Sequence, residues 1–89
     1  ECTGLLHAKV NLYTNRGAPY RSSFHTDHDF PHMVGLYSLN TCNGFTEFED
    51  GDNADSIANS MIIFDGTLKH RSVSQTDENT RINININYI

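Results

Sequence analysis

Arg81-Ile82-Asn83-Ile84-Asn85-Ile86-Asn87-Tyr88-Ile89 closes the chain with unbroken apolar–polar alternation. Successive side chains on a strand leave opposite faces, so a period of two marks a strand. Ile82, Ile84 and Ile86 then share one face, and Arg81, Asn83, Asn85 and Asn87 share the other. The same stretch could be taken for a low-complexity repeat, but it occurs once and is led by an arginine, which suits a single ordered strand. If the polar face lines a ligand cavity, the isoleucine face lies on the outside of the sheet and needs cover from other elements or a partner.

Working back along the chain, the remaining segments are also short and turn-bounded. Leu5 to Tyr13 reads as a strand with Ala8, Val10 and Leu12 on one face and Asn11 and Tyr13 on the other. Thr14 to Ser22, with Asn-Arg-Gly and Ala-Pro, reads as a loop, and Ser23 to Asp27 as a short strand. Asp29 to His32 turns around Pro31. Met33 to Leu39 alternates, Asn40 to Gly44 turns, and Phe45 to Phe48 alternates again. Glu49 to Asn53 is an acidic joint, and Asp55 to Ala58 a further short extended piece. Ser60 to Phe64 is the most apolar run and ends at the turn signal Asp65-Gly66. Thr67 to Ser74 carries His70, and Gln75 to Thr80 is a polar connection. About eight strands and no helix predict an all-β jelly roll, or double-stranded β-helix of the cupin type, with a plain β-sandwich as the alternative.

Composition bounds the function. Eighty-nine residues make one domain, residues 1–89, that buries only about 60–65% of the surface its unfolded chain exposes. Eleven acidic against six basic residues give a net charge of -5, and no basic run is present, so nucleic acid is not an indicated partner. Cys2 and Cys42 are far apart and outside any Cys-x-x-Cys spacing, which predicts ordinary thiols. No signal peptide and no apolar stretch long enough to span a bilayer are found. The compartment is left open, the cytoplasm slightly favoured. The chain opens on Glu1 in strand-like sequence, which predicts a fragment of a longer protein. A homo-oligomer interface, or N-terminal elements outside the segment, would then cover the Ile82/Ile84/Ile86 face.

The chemistry rests on four positions. His25 and Asp27 are two apart, so on a strand they share a face. His70, beyond the apolar strand, supplies a third ligand. Two imidazoles and one carboxylate form a facial triad that leaves positions open for co-substrate and oxygen, the pattern of non-haem iron(II) sites, although zinc accepts the same donors. Alone, His-x-Asp is as easily a surface pair. His28 and His32 compete for the role, one directed to the opposite face and the other beyond Pro31. His7 reads as an ordinary strand histidine. Arg81 is the second anchor. An inward guanidinium without a partner is costly, so it calls for an anionic ligand, for which arginine is a planar bidentate donor. Tyr37, on a central strand, is expected to reach the same pocket with its hydroxyl, and Asn11 and Tyr13 to face inward nearer the metal. The acidic stretch Glu47 to Asp55, if it borders the entrance, would suit a neutral or basic partner.

With these residues in hand, the sequence resembles the iron(II)/2-oxoglutarate-dependent dioxygenase family, especially its prolyl 4-hydroxylase-like branch. The matching stretches are Asn11-Leu-Tyr13, Phe24-His-Thr-Asp27, Leu36-Tyr-Ser-Leu-Asn40, Gly44-Phe-Thr-Glu-Phe48, Ile63-Phe-Asp-Gly66, His70 and Thr80-Arg-Ile82. The resemblance implies iron(II) held by His25, Asp27 and His70, which would also be the catalytic residues. Arg81 would grip the distal carboxylate of 2-oxoglutarate, Tyr37 would assist it, and Tyr13 would border the iron. Ascorbate is a further cofactor expectation. The implied reaction couples decarboxylation of 2-oxoglutarate, to succinate and carbon dioxide, with hydroxylation of a peptidyl (prolyl) or small-molecule substrate.

Asp27 favours hydroxylation, since related halogenases lack that carboxylate. Some prolyl hydroxylases carry lysine where Arg81 stands. Many members have two glycines before the Thr-Glu-Phe segment, where this chain has Asn43 and Gly44. Full-length members also carry N-terminal helices that this segment lacks. The alternative from another class is a non-catalytic jelly-roll module that binds metal or a small acid. A structural module that assembles through its isoleucine ridge is a third.

Overall fold

The computed structural model describes residues 2–89. Among them are seven strands and no helix: β1 (Leu5–Thr14), β2 (Met33–Ser38), β3 (Cys42–Phe48), β4 (Asn53–Ser56), β5 (Ser60–Asp65), β6 (His70–Val73) and β7 (Thr80–Tyr88). One sheet has the order β1-β7-β2-β5 and the other β4-β3-β6. All strand pairs are antiparallel. The chain crosses repeatedly from one sheet to the other, and this is the jelly-roll, or double-stranded β-helix, architecture.

The expected strand at Ser23 to Asp27 is reduced to isolated bridges, with Arg21 opposite Val73 and His25 opposite His70. The segment still lies along the free edge of β6, where an eighth strand belongs. Its ladder is interrupted because a side chain takes a backbone role: the Ser72 amide donates to Ser22 Oγ at 3.1 Å. The predicted turn at Asn40 to Gly44 is shorter than expected, because Cys42, Asn43 and Gly44 enter β3. The Asn40 amide replaces missing ladder bonds there, donating to the Thr80 carbonyl at 2.8 Å and accepting from the Ile82 amide at 2.9 Å. Asn43, the departure from the double-glycine pattern, exchanges hydrogen bonds with Thr76 and ties β3 to the connection before β7.

Register decides which side chains face the cavity between the sheets. β7 is bonded on both sides, with Arg81, Asn83, Asn85 and Asn87 opposite Tyr13, Asn11, Lys9 and His7 of β1. On β2, Val34 and Leu36 lie across from Asn87 and Asn85 and are buried. Their partners on β5 are Phe64 and Ile62. Phe48 of β3 meets Phe64 edge-on, at 4.9 Å between ring centres, and joins the two sheets. The opposite parity forms the outer face, as the sequence predicted for the isoleucines. Ile82, Ile84 and Ile86 pair there with Leu12, Val10 and Ala8. Val10 and Leu12 are 65% and 61% exposed, and Ile63 59%. Cys2 and Cys42 are free thiols, the first exposed and the second buried. No helix of the described residues is long and apolar enough to cross a membrane.

This sidedness has a measurable consequence. Val34→Ala removes two fully buried methyl groups and is expected to lower unfolding free energy by about 2 kcal/mol. Val10→Ala, on the open outer face, should change it by less than about 0.5 kcal/mol. Urea unfolding of both variants checks the assignment, and equal losses would contradict it.

Candidate metal centre and anion pocket

His25 and Asp27 stand on the bridging segment at the edge of the three-stranded sheet, and His70 on the adjoining β6. The paired backbones of His25 and His70, bonded in both directions at 3.0 Å, bring the two rings to 4.7 Å between centres. One ligand atom from each of His25, Asp27 and His70 lies within 4.8 Å of the other two. His25 Nε2 and Asp27 Oδ1 are 3.5 Å apart. Ligands at about 2.0–2.2 Å from a common ion, and at right angles, stand about 3 Å from one another, so small side-chain rotations close the set. Among the described residues no other group of three His, Cys, Asp or Glu side chains converges in this way.

The second contacts of the imidazoles point their inner nitrogens at the same centre. His25 Nδ1 lies 3.0 Å from the Ser23 carbonyl and His70 Nδ1 3.2 Å from the Leu68 carbonyl. A carbonyl accepts, so in the neutral ring the proton sits on Nδ1 and Nε2 is the nitrogen available to a metal. Phe64 packs edge-on against His70 at 5.0 Å, with Phe48 beyond it at 6.5 Å. Burial lowers the His70 pKa below the ordinary histidine value, with His25 and His32 adding to the effect and the Leu68 carbonyl and Asp27 opposing it. His70 is therefore neutral and ligand-ready at pH 7.

Asp27 also sits below its ordinary value. Burial pushes it upward, but the Asn87 amide, the His70 and His25 imidazoles and the Asn85 amide together outweigh burial. An outer clamp holds the segment in place. Glu47 accepts from Arg71 Nε at 2.6 Å and from Arg21 Nη1 at 3.2 Å, and the Arg71 guanidinium lies 4.1 Å over the Phe24 ring.

A cavity of about 280 Å³ joins this centre to Arg81. Arg81 is 1% exposed and has no carboxylate partner among the described residues. Its Nη1 donates to Ser72 Oγ at 2.9 Å and to the Phe45 carbonyl at 3.3 Å, and its Nη2 to Thr46 Oγ1 at 3.3 Å. Buried Nε has no acceptor among the described residues. Burial lowers the Arg81 pKa, yet an arginine stays charged at any physiological pH. The Tyr13 ring, 5.4 Å away, is the aromatic face beside the cation. Gly44 gives the side chain its passage, since a Cβ there would stand 3.0 Å from Arg81 Cδ and 3.1 Å from backbone atoms of Gln75 and Val73.

The other sequence expectations fall out as follows. Asn11 lines the cavity and donates to Asn83 Oδ1 at 3.0 Å. Tyr13 lines it too, but opposite Arg81 at the anion end and not beside the metal ligands. Tyr37 is a correction. It pairs with Ile84 and Met61 on the outer face, and its hydroxyl donates to Asn59 Oδ1, because Leu36 and Ser38 take the inward parity of β2. The acidic stretch Glu47 to Asp55 lines no part of this cavity. His28 and His32 meet edge-on at 4.9 Å between ring centres, outside the three-residue set.

The residues that sequence reasoning missed are Ser72 and Thr46 at the guanidinium, Asn85 and Asn87 at Asp27, and Leu36 and Phe64 as apolar wall. Thr46 lay inside a stretch noted for its family likeness. The asparagines lay on the strand face assigned to a cavity, without a role.

The fold and site define the jelly-roll, cupin-type class with a His-Asp-His cluster. The sequence matches no protein-family profile and no curated protein. Among solved structures it is similar to an RmlC-like cupin protein from Desulfovibrio desulfuricans, at 14% identity and a TM-score of 0.61, over 92% of this chain and 76% of that one. At that identity the likeness shows the fold.

The pKa of His70 gives a test with a defined sign. The unfolded chain binds a proton more readily than folded His70, so this contribution to stability is complete above about pH 6.5 and is lost as pH falls toward the folded value. The urea midpoint of metal-free protein should fall on acidification below about pH 6.5. In His70→Gln that part of the slope should flatten, and an unchanged slope would remove His70 from the account.

Proposed function

We propose that this chain is the catalytic core of an iron(II)/2-oxoglutarate-dependent dioxygenase that hydroxylates a peptidyl side chain, prolyl among the candidates, or a small molecule. The observation that carries the reading is the buried Arg81, without a carboxylate partner among the described residues, in the same cavity as His25, Asp27 and His70. Burying a charge without a counter-ion is strongly unfavourable, and the orphaned Nε adds an unmet donor. An anion in the cavity removes both costs. The neighbouring donor set of two nitrogens and one oxygen suits iron(II) and leaves half of an octahedron free.

A ligand that is a chelating keto acid at one end and a carboxylate at the other satisfies both halves of the cavity. His25, Asp27 and His70 would hold the iron, which when bound supplies oxygen activation. Arg81 would receive the distal carboxylate of 2-oxoglutarate, with Ser72 and Thr46 orienting the guanidinium and the Tyr13 ring closing one side. Leu36 and Phe64 give the cavity an apolar wall. At about 280 Å³ the space is small beside the roughly 300–1,000 Å³ of ordinary ligand clefts. It suits the co-substrate plus one projecting group of the substrate, with the bulk of the substrate outside. Succinate and carbon dioxide would be the co-products, and ascorbate a candidate reductant.

Anaerobic titration with iron(II), with and without 2-oxoglutarate, tests the proposal through the weak visible charge-transfer band of the chelate. Wild-type protein should develop the band only with both present. Asp27→Ala should abolish hydroxylation. Arg81→Met should keep iron and lose about 10–100-fold in affinity for 2-oxoglutarate, because charge-assisted hydrogen bonds contribute about 1.5–3 kcal/mol. Absence of the band in folded wild-type protein would end this reading. Metal and acid uptake without succinate would favour the non-catalytic binding module.

A further inference from the structure

Resting on the metal reading above, we infer that Asn85 and Asn87 of β7 are positioning residues that hold Asp27 as a one-oxygen ligand. Asp27 turns Oδ1 toward His25 Nε2 at 3.5 Å. Its other oxygen, Oδ2, accepts from Asn85 Nδ2 at 3.4 Å. Asn85 does not stand alone, because its Oδ1 accepts from Asn87 Nδ2. Asn87 is 0% exposed and binds through Nδ2, while its Oδ1 has no hydrogen-bond partner among the described residues.

The network continues from there. Asn87 Nδ2 also lies 3.2 Å from His7 Nε2, and His7 Nδ1 lies 3.3 Å from His28 Nε2. An amide nitrogen only donates, so His7 Nε2 is the bare nitrogen and His7 Nδ1 carries the proton that it gives to His28. A row of hydrogen bonds therefore runs from Asp27 through Asn85 and Asn87 to His7 and His28.

The geometry requires such a device. Asp27 stands on a bend next to a single bridge, not in a ladder, and its carboxylate is free to rotate about χ2. A rotated carboxylate presents both oxygens to a cation and fills a position that a facial triad must leave open. A hydrogen bond to Oδ2 from β7, which is bonded to a neighbour on each side, blocks that rotation. An amide is suited to the task because it donates without bringing a positive charge, and the carboxylate keeps its charge for the metal. The same need accounts for Asn85 and Asn87 in a central strand, where that residue is disfavoured.

Cobalt(II), a spectroscopic stand-in for the metal, provides the test. Asn85→Leu and Asn85→Ala both remove the donor, and either one that keeps the wild-type circular dichroism suffices. The expected result is cobalt(II) affinity lower by about 10–100-fold, with a shifted visible d–d band. Asn85→Gln, which keeps an amide donor, should recover part of both. A folded Leu or Ala variant with wild-type affinity and band would overturn this inference and leave the metal centre standing. Wild-type protein that takes up no cobalt(II) would overturn both.

Discussion

The central position of β7, hydrogen-bonded to β1 on one side and to β2 on the other, is the constraint from which the rest of the molecule follows. Because both its edges are used, its side chains have no choice but to stand perpendicular to the sheet, alternately in and out. One choice of parity sends Arg81 and three asparagines into the space between the sheets. A shift of a single residue would fill that space with isoleucines and turn the polar row to solvent. The neighbouring strands agree with the observed parity, since β1 sets Asn11 and Tyr13 beside Asn83 and Arg81.

The interior that results is divided along its length. At one end, Val34, Phe48 and Phe64 supply the apolar packing that a chain of this size needs, and that packing desolvates His70. At the other, Arg81 lies among hydroxyls and a carbonyl, with the Tyr13 ring beside it and no carboxylate of the described residues paired with it. The cavity thus combines a neutral imidazole, a carboxylate held ionised and an uncompensated cation. Each condition comes from a different source: aromatic packing for His70, amide donors for Asp27, and, among the described residues, the lack of an acidic partner for Arg81.

The two sheets meet the rest of the world differently. The three-stranded sheet carries the ion-pair clamp of Glu47 with Arg71 and Arg21, which presses the His25 segment onto β6. The four-stranded sheet turns a broad row of aliphatic side chains outward, from Val10 and Leu12 through the isoleucines of β7 to Ile63. Along β7 and β1, polar inside and apolar outside is the reverse of an ordinary isolated sandwich, and the alternation of β7 enforces it.

Much of this was legible in the residues themselves. The Arg81–Ile89 alternation fixes a strand and the company each side chain keeps, because backbone geometry alone sets the period. His25, Asp27, His70 and Arg81 were identifiable by chemical type and order, since few residues bind cations or anions well. Tyr37 shows where such reading stops. Met33 to Leu39 alternates, but a period of two says nothing about which set faces in, and only pairing with β5 and β7 put Leu36 inside and Tyr37 outside. The roles of Asn85, Asn87, Ser72 and Thr46 were hidden for a related reason. Each acts on a residue far away in the chain, and the distance between them exists only once the sheets have closed.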